Sequence, residues 1–83
     1  MTDEIVMYGA DWCGDCRRAQ RLLEGRGVAY RYVDVEHDAS GREEARRIGN
    51  STKIPVIVMP DGSVLVEPTD PELASKLDGL AIR

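Results

Sequence analysis

Ala10-Asp11-Trp12-Cys13-Gly14-Asp15-Cys16-Arg17-Arg18 is the stretch on which the reading of this chain turns. Its two cysteines stand three apart and are the only 2 in 83 residues. A disulfide stabilises mainly by closing a long loop in the unfolded chain, and this pair would close almost nothing. A structural staple is a poor explanation for it. Redox exchange, half of a metal site and coincidence remain. The flanks help to separate these. Just upstream, Ile5-Val6-Met7-Tyr8 is a short apolar run, read as a buried strand (β1, residues 5–8). Gly9-Ala10-Asp11 breaks it. Residues 14–25 then read as a helix (α1). Cys16, Ala19, Leu22 and Leu23 fall on one face, and Arg17, Arg18, Arg21 and Glu24 on the other. Gly25 and Gly27 end it. Residues 28–35 are rich in β-branched and aromatic side chains and read as a second strand (β2). Strand, helix and strand joined by tight turns make a βαβ unit, so β1 and β2 are expected to be parallel with a right-handed crossover.

The second half has a different rhythm. Ser40-Gly41-Arg42-Glu43 fits a capping box, in which Ser and Glu reciprocally satisfy free backbone N–H groups. It predicts a short helix (α2, residues 40–48) stopped by Gly49-Asn50. Residues 55–59 read as β3. Asp61-Gly62 signals a hairpin into β4 (residues 64–67), antiparallel to β3. Thr69 as N-cap, with Asp70-Pro71-Glu72 behind it, opens a last helix (α3, from residue 70). Leu73, Leu77 and Leu80 line its inner face. The predicted order is β1-α1-β2-α2-β3-β4-α3. That is an α/β domain with a mixed four-stranded sheet in two or three layers, one domain over residues 1–83.

Cys13 follows the first strand and opens the first helix. The thiolate is the attacking species, and a free cysteine is mostly protonated at neutral pH. The first turn of a helix offers unpaired N–H donors and the positive end of the macrodipole, both of which favour a thiolate. Cys16 lies one turn further in, on the apolar stripe. The two sulfurs can reach each other, but only the first is expected to be exposed. This asymmetry suits a dithiol exchange: Cys13 attacks a disulfide, and Cys16 then attacks Cys13 and releases the product. A zinc site normally needs four protein ligands, and only His37 could add a soft one, so no metal is expected.

Other candidate residues each have a plainer explanation. Ile54-Pro55 stands before the third strand. X-Pro bonds are where cis peptides occur, but a trans proline at a strand start fits the residues equally well. A cis bond would turn the Ile54 N–H and C=O outward to pair with an extended peptide. Trp12, and less so Tyr8, could form an apolar wall beside Cys13; Tyr8 equally reads as core. The arginines of the first helix either steer an anion or simply form a solvated face. His37, in the acidic stretch of residues 34–38, is assigned no role. Glu43-Glu44-Ala45-Arg46-Arg47 suits surface ion pairs.

Composition limits the partners. Apolar residues make up 42% and charged residues 31%, with a net charge of −4. That balance is globular. A chain this short buries only roughly 60–65% of the surface its unfolded form exposes. There is no global positive field for nucleic acid. The longest apolar run, residues 54–60, contains two prolines and is far too short for a membrane span. Asp3 and Glu4 stand where a signal peptide would be basic. The expectation is a cytoplasmic monomer that binds neither nucleic acid nor membrane.

The element order, the residues from Ala10 to Arg18, the Ile54-Pro55 pair and the Asp61-Gly62 turn together resemble a glutaredoxin, a small thioredoxin-fold oxidoreductase, over nearly the whole chain. The mycoredoxin branch is similar at Trp12 to Arg18, Gly49-Asn50-Ser51-Thr52, Asp61-Gly62-Ser63 and Pro68-Thr69-Asp70. The resemblance implies that Cys13 is the nucleophile, Cys16 the resolving thiol and Pro55 cis. It implies mixed disulfides between proteins and a low-molecular-weight thiol as substrates. Mycothiol or glutathione would be the reductant, with no bound cofactor. Substrate contacts would come from Trp12, Asp15, Lys53, Ile54, Pro55 and Asp70. Three positions depart from the pattern. Asp15 replaces a common aromatic, and a carboxylate there opposes the helix dipole at Cys13, with Arg17, Arg18, Arg21 and Lys53 available to offset it. Val66-Glu67-Pro68 stands where glutathione-binding members carry paired glycines. Thr52-Lys53-Ile54-Pro55 replaces the usual Thr-Val-Pro. Two other functions make different demands on the sequence. An electron donor to a specific protein such as ribonucleotide reductase would carry a C-terminal Gly-Phe-Arg-Pro segment, and the chain has no Phe. An iron–sulfur-cluster module is linked chiefly to a monothiol Cys-Gly-Phe-Ser motif.

Overall fold

The computed structural model describes residues 4–81. Its elements follow the expected order: β1 (Ile5–Gly9), α1 (Gly14–Gly25), β2 (Tyr30–Asp34), α2 (Ala39–Gly49), β3 (Val56–Val58), β4 (Val64–Val66) and α3 (Asp70–Gly79). The sheet order is β2-β1-β3-β4. β1 pairs parallel with β2, while β3 is antiparallel to both β1 and β4. Every residue of β1 is buried, because this strand is interior to the sheet and covered on both faces.

Alternation along the strands divides the core in two. Ile5, Met7 and Ile57 face Cys16, Ala19 and Leu23 of α1 and Leu73 and Leu77 of α3. Val6, Tyr8 and Val56 face Ala45 and Ile48 of α2. The architecture is therefore three layers, α/β/α. Cys13 and Ile54 pack against both clusters. They sit where the two halves of the core meet, at the end of the sheet from which α1 departs.

Several local expectations shift. Asp38, not Ser40, caps α2. Its carboxylate accepts from Gly41 N–H at 2.8 Å, and its backbone is extended (φ −121°, ψ 97°). The register is fixed by Gly41, where a β-carbon would stand 2.5 Å from Val33 Cγ1. Glu43 instead pairs with Arg46 at 2.9 Å. The capping box at Thr69 and Glu72 forms as expected. β2 is shorter than the pattern suggested. Val28 and Val35 are buried, but Val28 N–H goes to Leu23 C=O, closing the helix end. The β3–β4 turn is wider than two residues, spanning Met59 to Ser63, and Met59 N–H donates to Ser63 C=O at 2.9 Å. Arg18 is not on a free solvated face: it bridges to α3.

Candidate active site

Cys13 is the N-cap residue of α1 (φ −83°, ψ 115°). Its sulfur accepts from Cys16 N–H at 3.3 Å, one of the donors a helix leaves unpaired in its first turn. The positive end of the helix macrodipole lies at the same sulfur. Cys13 Sγ is also 3.9 Å from Ile54 C=O, toward which a thiol can point its proton. The Ile54-Pro55 peptide is cis. Cys13 is partly exposed, whereas Cys16 has no exposed surface. Burial is the main reason that the Cys16 thiol is pushed up to about 12, with the Cys13 hydrogen bond adding to it.

On one flank of Cys13 a groove of about 380 Å³ runs between Trp12, Ile54 and α2. Trp12 is 68% exposed, and its indole Nε1–H donates to Glu36 at 2.6 Å. This bond fixes the ring as a wall. Lys53, Arg42 and Arg46 bring cations to the groove. Arg46 is held by Glu43, and Arg42 donates to Val35 C=O at 3.0 Å. Lys53 makes no ion pair among the described residues. On the other flank Arg18 lies between two carboxylates, 3.1 Å from Asp15 and 3.3 Å from Asp70. It neutralises Asp15 and ties the start of α1 to the start of α3. At this exposure each pair contributes at most about 1 kcal/mol.

A glutaredoxin family model matches residues 5–64. The chain belongs to the glutaredoxin family. It is similar to a glutaredoxin of Pseudomonas aeruginosa, 34% identical over 80 residues, 92% of this chain and 93% of that protein. Mycoredoxin 1 of Corynebacterium glutamicum is 28% identical over 78 residues, covering 93% and 96% of the two chains. Among solved structures, a glutaredoxin from Methanosarcina mazei superposes with a TM-score of 0.76 at 28% identity, covering 89% of this chain and 77% of that one. This glutaredoxin is a thiol-disulfide oxidoreductase, as its family and relatives indicate, and its fold is the thioredoxin fold of its structural neighbours.

The residues singled out from the sequence fall into two groups in this glutaredoxin. Trp12, Lys53 and Ile54 share the groove, with Pro55 buried behind Ile54. Asp15 and Asp70 lie on the opposite flank, joined through Arg18. Tyr8 is buried in the core and forms no wall. His37 is exposed and bonded to Asp34 at 2.8 Å. Sequence reasoning missed Glu36, Arg42 and Arg46 as groove residues. The first read as loop, Arg42 only as part of the capping pattern and Arg46 as part of an exposed ion-paired helix face, and no local pattern announces that folding sets them opposite Trp12. Among the described residues no group of three or more His, Cys, Asp or Glu is placed to hold a metal, and no helix is long and apolar enough to cross a membrane.

Proposed function

We propose that this glutaredoxin reduces mixed disulfides between proteins and a low-molecular-weight thiol by a dithiol route, with Cys13 attacking and Cys16 resolving. The observation that carries this reading is the unequal access of the two sulfurs at one helix start. An incoming disulfide can meet Cys13 but not Cys16. The Cys13 thiolate attacks one sulfur of the substrate, the substrate S–S bond breaks, and the departing thiolate takes up a proton. Cys16 then attacks Cys13, and the second thiol leaves as the Cys13–Cys16 disulfide forms. Two molecules of the small thiol return the enzyme to the dithiol state. No bound cofactor is required.

The small thiol is mycothiol or glutathione, and two observations favour mycothiol. One is the similarity to a mycoredoxin over nearly the full chain. The other is Val66-Glu67-Pro68 in place of paired glycines. The thiol body would lie in the groove against Trp12 and Ile54, with Lys53 free to meet its polar groups. The test is to supply the oxidised protein with mycothiol, glutathione or thioredoxin reductase and follow its reduction. Mycothiol is expected to serve best, and equal failure of all three would remove the reading. Cys13→Ser should abolish activity, whereas Cys16→Ser should trap the mixed disulfide or turn over as a monothiol enzyme. Full turnover by Cys13→Ser would sink the assignment.

A further inference from the structure

Behind the cysteine pair lies a polar atom that the reaction above does not use. Tyr32, on β2, is in register with Met7 of β1 and packs against the core cluster that holds Cys16. Its hydroxyl is shielded from solvent and has no hydrogen-bond partner among the described residues. The contrast with Tyr30, two residues earlier, is direct: that hydroxyl donates to Glu24 at 2.6 Å and accepts from Gln20 at 3.3 Å. A buried hydroxyl without a partner is destabilising, and Phe would fill the same space without it.

The position of the hydroxyl suggests its use. A β-carbon built on Gly9 would stand 3.0 Å from Cys16 Sγ and 3.3 Å from Tyr32 Oη. The absence of a side chain at Gly9 thus leaves the buried sulfur and the unpartnered hydroxyl bordering the same small space. A thiol is a weak acceptor, but a thiolate is a strong one. Resting on the dithiol route above, we propose that Tyr32 Oη donates a hydrogen bond to the Cys16 thiolate as it forms, and that Tyr32 thereby sets the rate of the resolving step. In that step Cys16 gives up its proton to water and its sulfur attacks Cys13 Sγ. The Cys13–Cys16 bond forms, the bond from Cys13 to the outgoing thiol breaks, and the electron pair leaves with that thiolate. With no other partner to give up, the Tyr32 hydroxyl is free to turn to that charge when it appears.

The electrostatic setting supports a donor rather than a base. Burial, followed by the charges of Cys16, Asp11, Asp34 and Cys13, pushes the Tyr32 phenol up to about 12, so it keeps its proton at neutral pH. Cys16 itself faces burial, Cys13 and Asp15, with only a backbone hydrogen bond at Ala10 acting the other way. It is the group in most need of a further donor.

The test uses dithiobis(nitrobenzoate) as substrate for the reduced protein. Attack by Cys13 releases one coloured thiolate, and resolution by Cys16 releases the second. Tyr32→Phe should leave the first phase unchanged and slow the second about 10-fold, as expected for loss of a hydrogen bond to a charged group. It should also move the pH profile of the second phase upward, while thermal stability holds or rises. In a Cys16→Ser background the second phase should be absent, and Tyr32→Phe should change nothing. A second phase of unchanged rate and pH profile would overturn the role, as would equal slowing of both phases. A wild type that releases no second thiolate would refute the dithiol route itself, a result distinct from either.

Discussion

Gly9→Ala is the sharpest probe of how the buried Cys16 sulfur is seated. The added methyl would stand 3.0 Å from Cys16 Sγ and 3.2 Å from Cys16 Cβ, so at least one of the two residues must shift. The backbone has little room to yield, because Gly9 C=O accepts from Val35 N–H at 2.9 Å and the residue lies in an interior strand. Overpacking of this kind costs about 1–3 kcal/mol. Replacing Gly with Ala also stiffens the unfolded chain, which returns about 0.5–1 kcal/mol. From the middle of the two ranges the net loss is about 1 kcal/mol, and at about 4–8 °C per kcal/mol in a domain of this size the melting temperature falls by about 4–8 °C. Thermal melts of the reduced protein, followed by far-UV circular dichroism, read this directly. Gly25→Ala is the control. It lies in the last turn of α1 with nothing within 4 Å of its added carbon, and it should gain about 0.5–1 kcal/mol. If Gly9→Ala melts at or above the wild-type temperature, Cys16 is not packed against Gly9 as described.

Two further predictions concern the loop between β2 and α2. Asp38→Ala should remove the N-cap of α2 and cost about 1 kcal/mol in chemical denaturation, whereas Ser40→Ala should cost little, since Ser40 caps nothing. Asp34 and His37 form an exposed pair in which the hydrogen bond from His37 lowers the Asp34 carboxyl, and the same bond raises His37 above its ordinary 6.5. The His37 contribution is complete below 6.5 and is lost as pH rises through its raised value. The Asp34 contribution is present above 3.8 and is lost as pH falls through its lowered value. The pair therefore acts in the window between these limits. Asp34→Asn should return His37 toward 6.5 in an NMR titration, and an unshifted histidine would count against the pairing.

The features legible in the sequence were those carried by short-range chemistry. The apolar run at Ile5, the helical stripe through Cys16, Ala19 and Leu23, and the Thr69–Glu72 box each state their element locally. The cysteine pair could be placed at a helix start because strand, break and helix follow one another directly. Ser40 and Glu43 match a local capping pattern, but the cap falls to Asp38, whose carboxylate takes Gly41 N–H, and Gly41 in turn is a residue whose added β-carbon would collide with Val33. The groove was only half visible for the same reason. Trp12 and Lys53 flank motifs that can be read, but Glu36, Arg42 and Arg46 join them only when α2 packs on the sheet. Tyr32 reads in the sequence as an ordinary β residue, and only the folded sheet brings its hydroxyl beside Gly9.

The burial of Cys16 also bears on oxidative damage. A thiolate exposed to peroxide first becomes a sulfenic acid, which further oxidation converts irreversibly to sulfinic and sulfonic acids. Cys13, partly exposed at the helix start, is the sulfur that peroxide can reach. Its sulfenic acid has a second thiol one helical turn away, so it condenses to a disulfide with loss of water instead of climbing further. Cys16, with no exposed surface, is shielded from the same attack. The second sulfur is thus held in reserve, out of reach of the oxidant that the first one can meet.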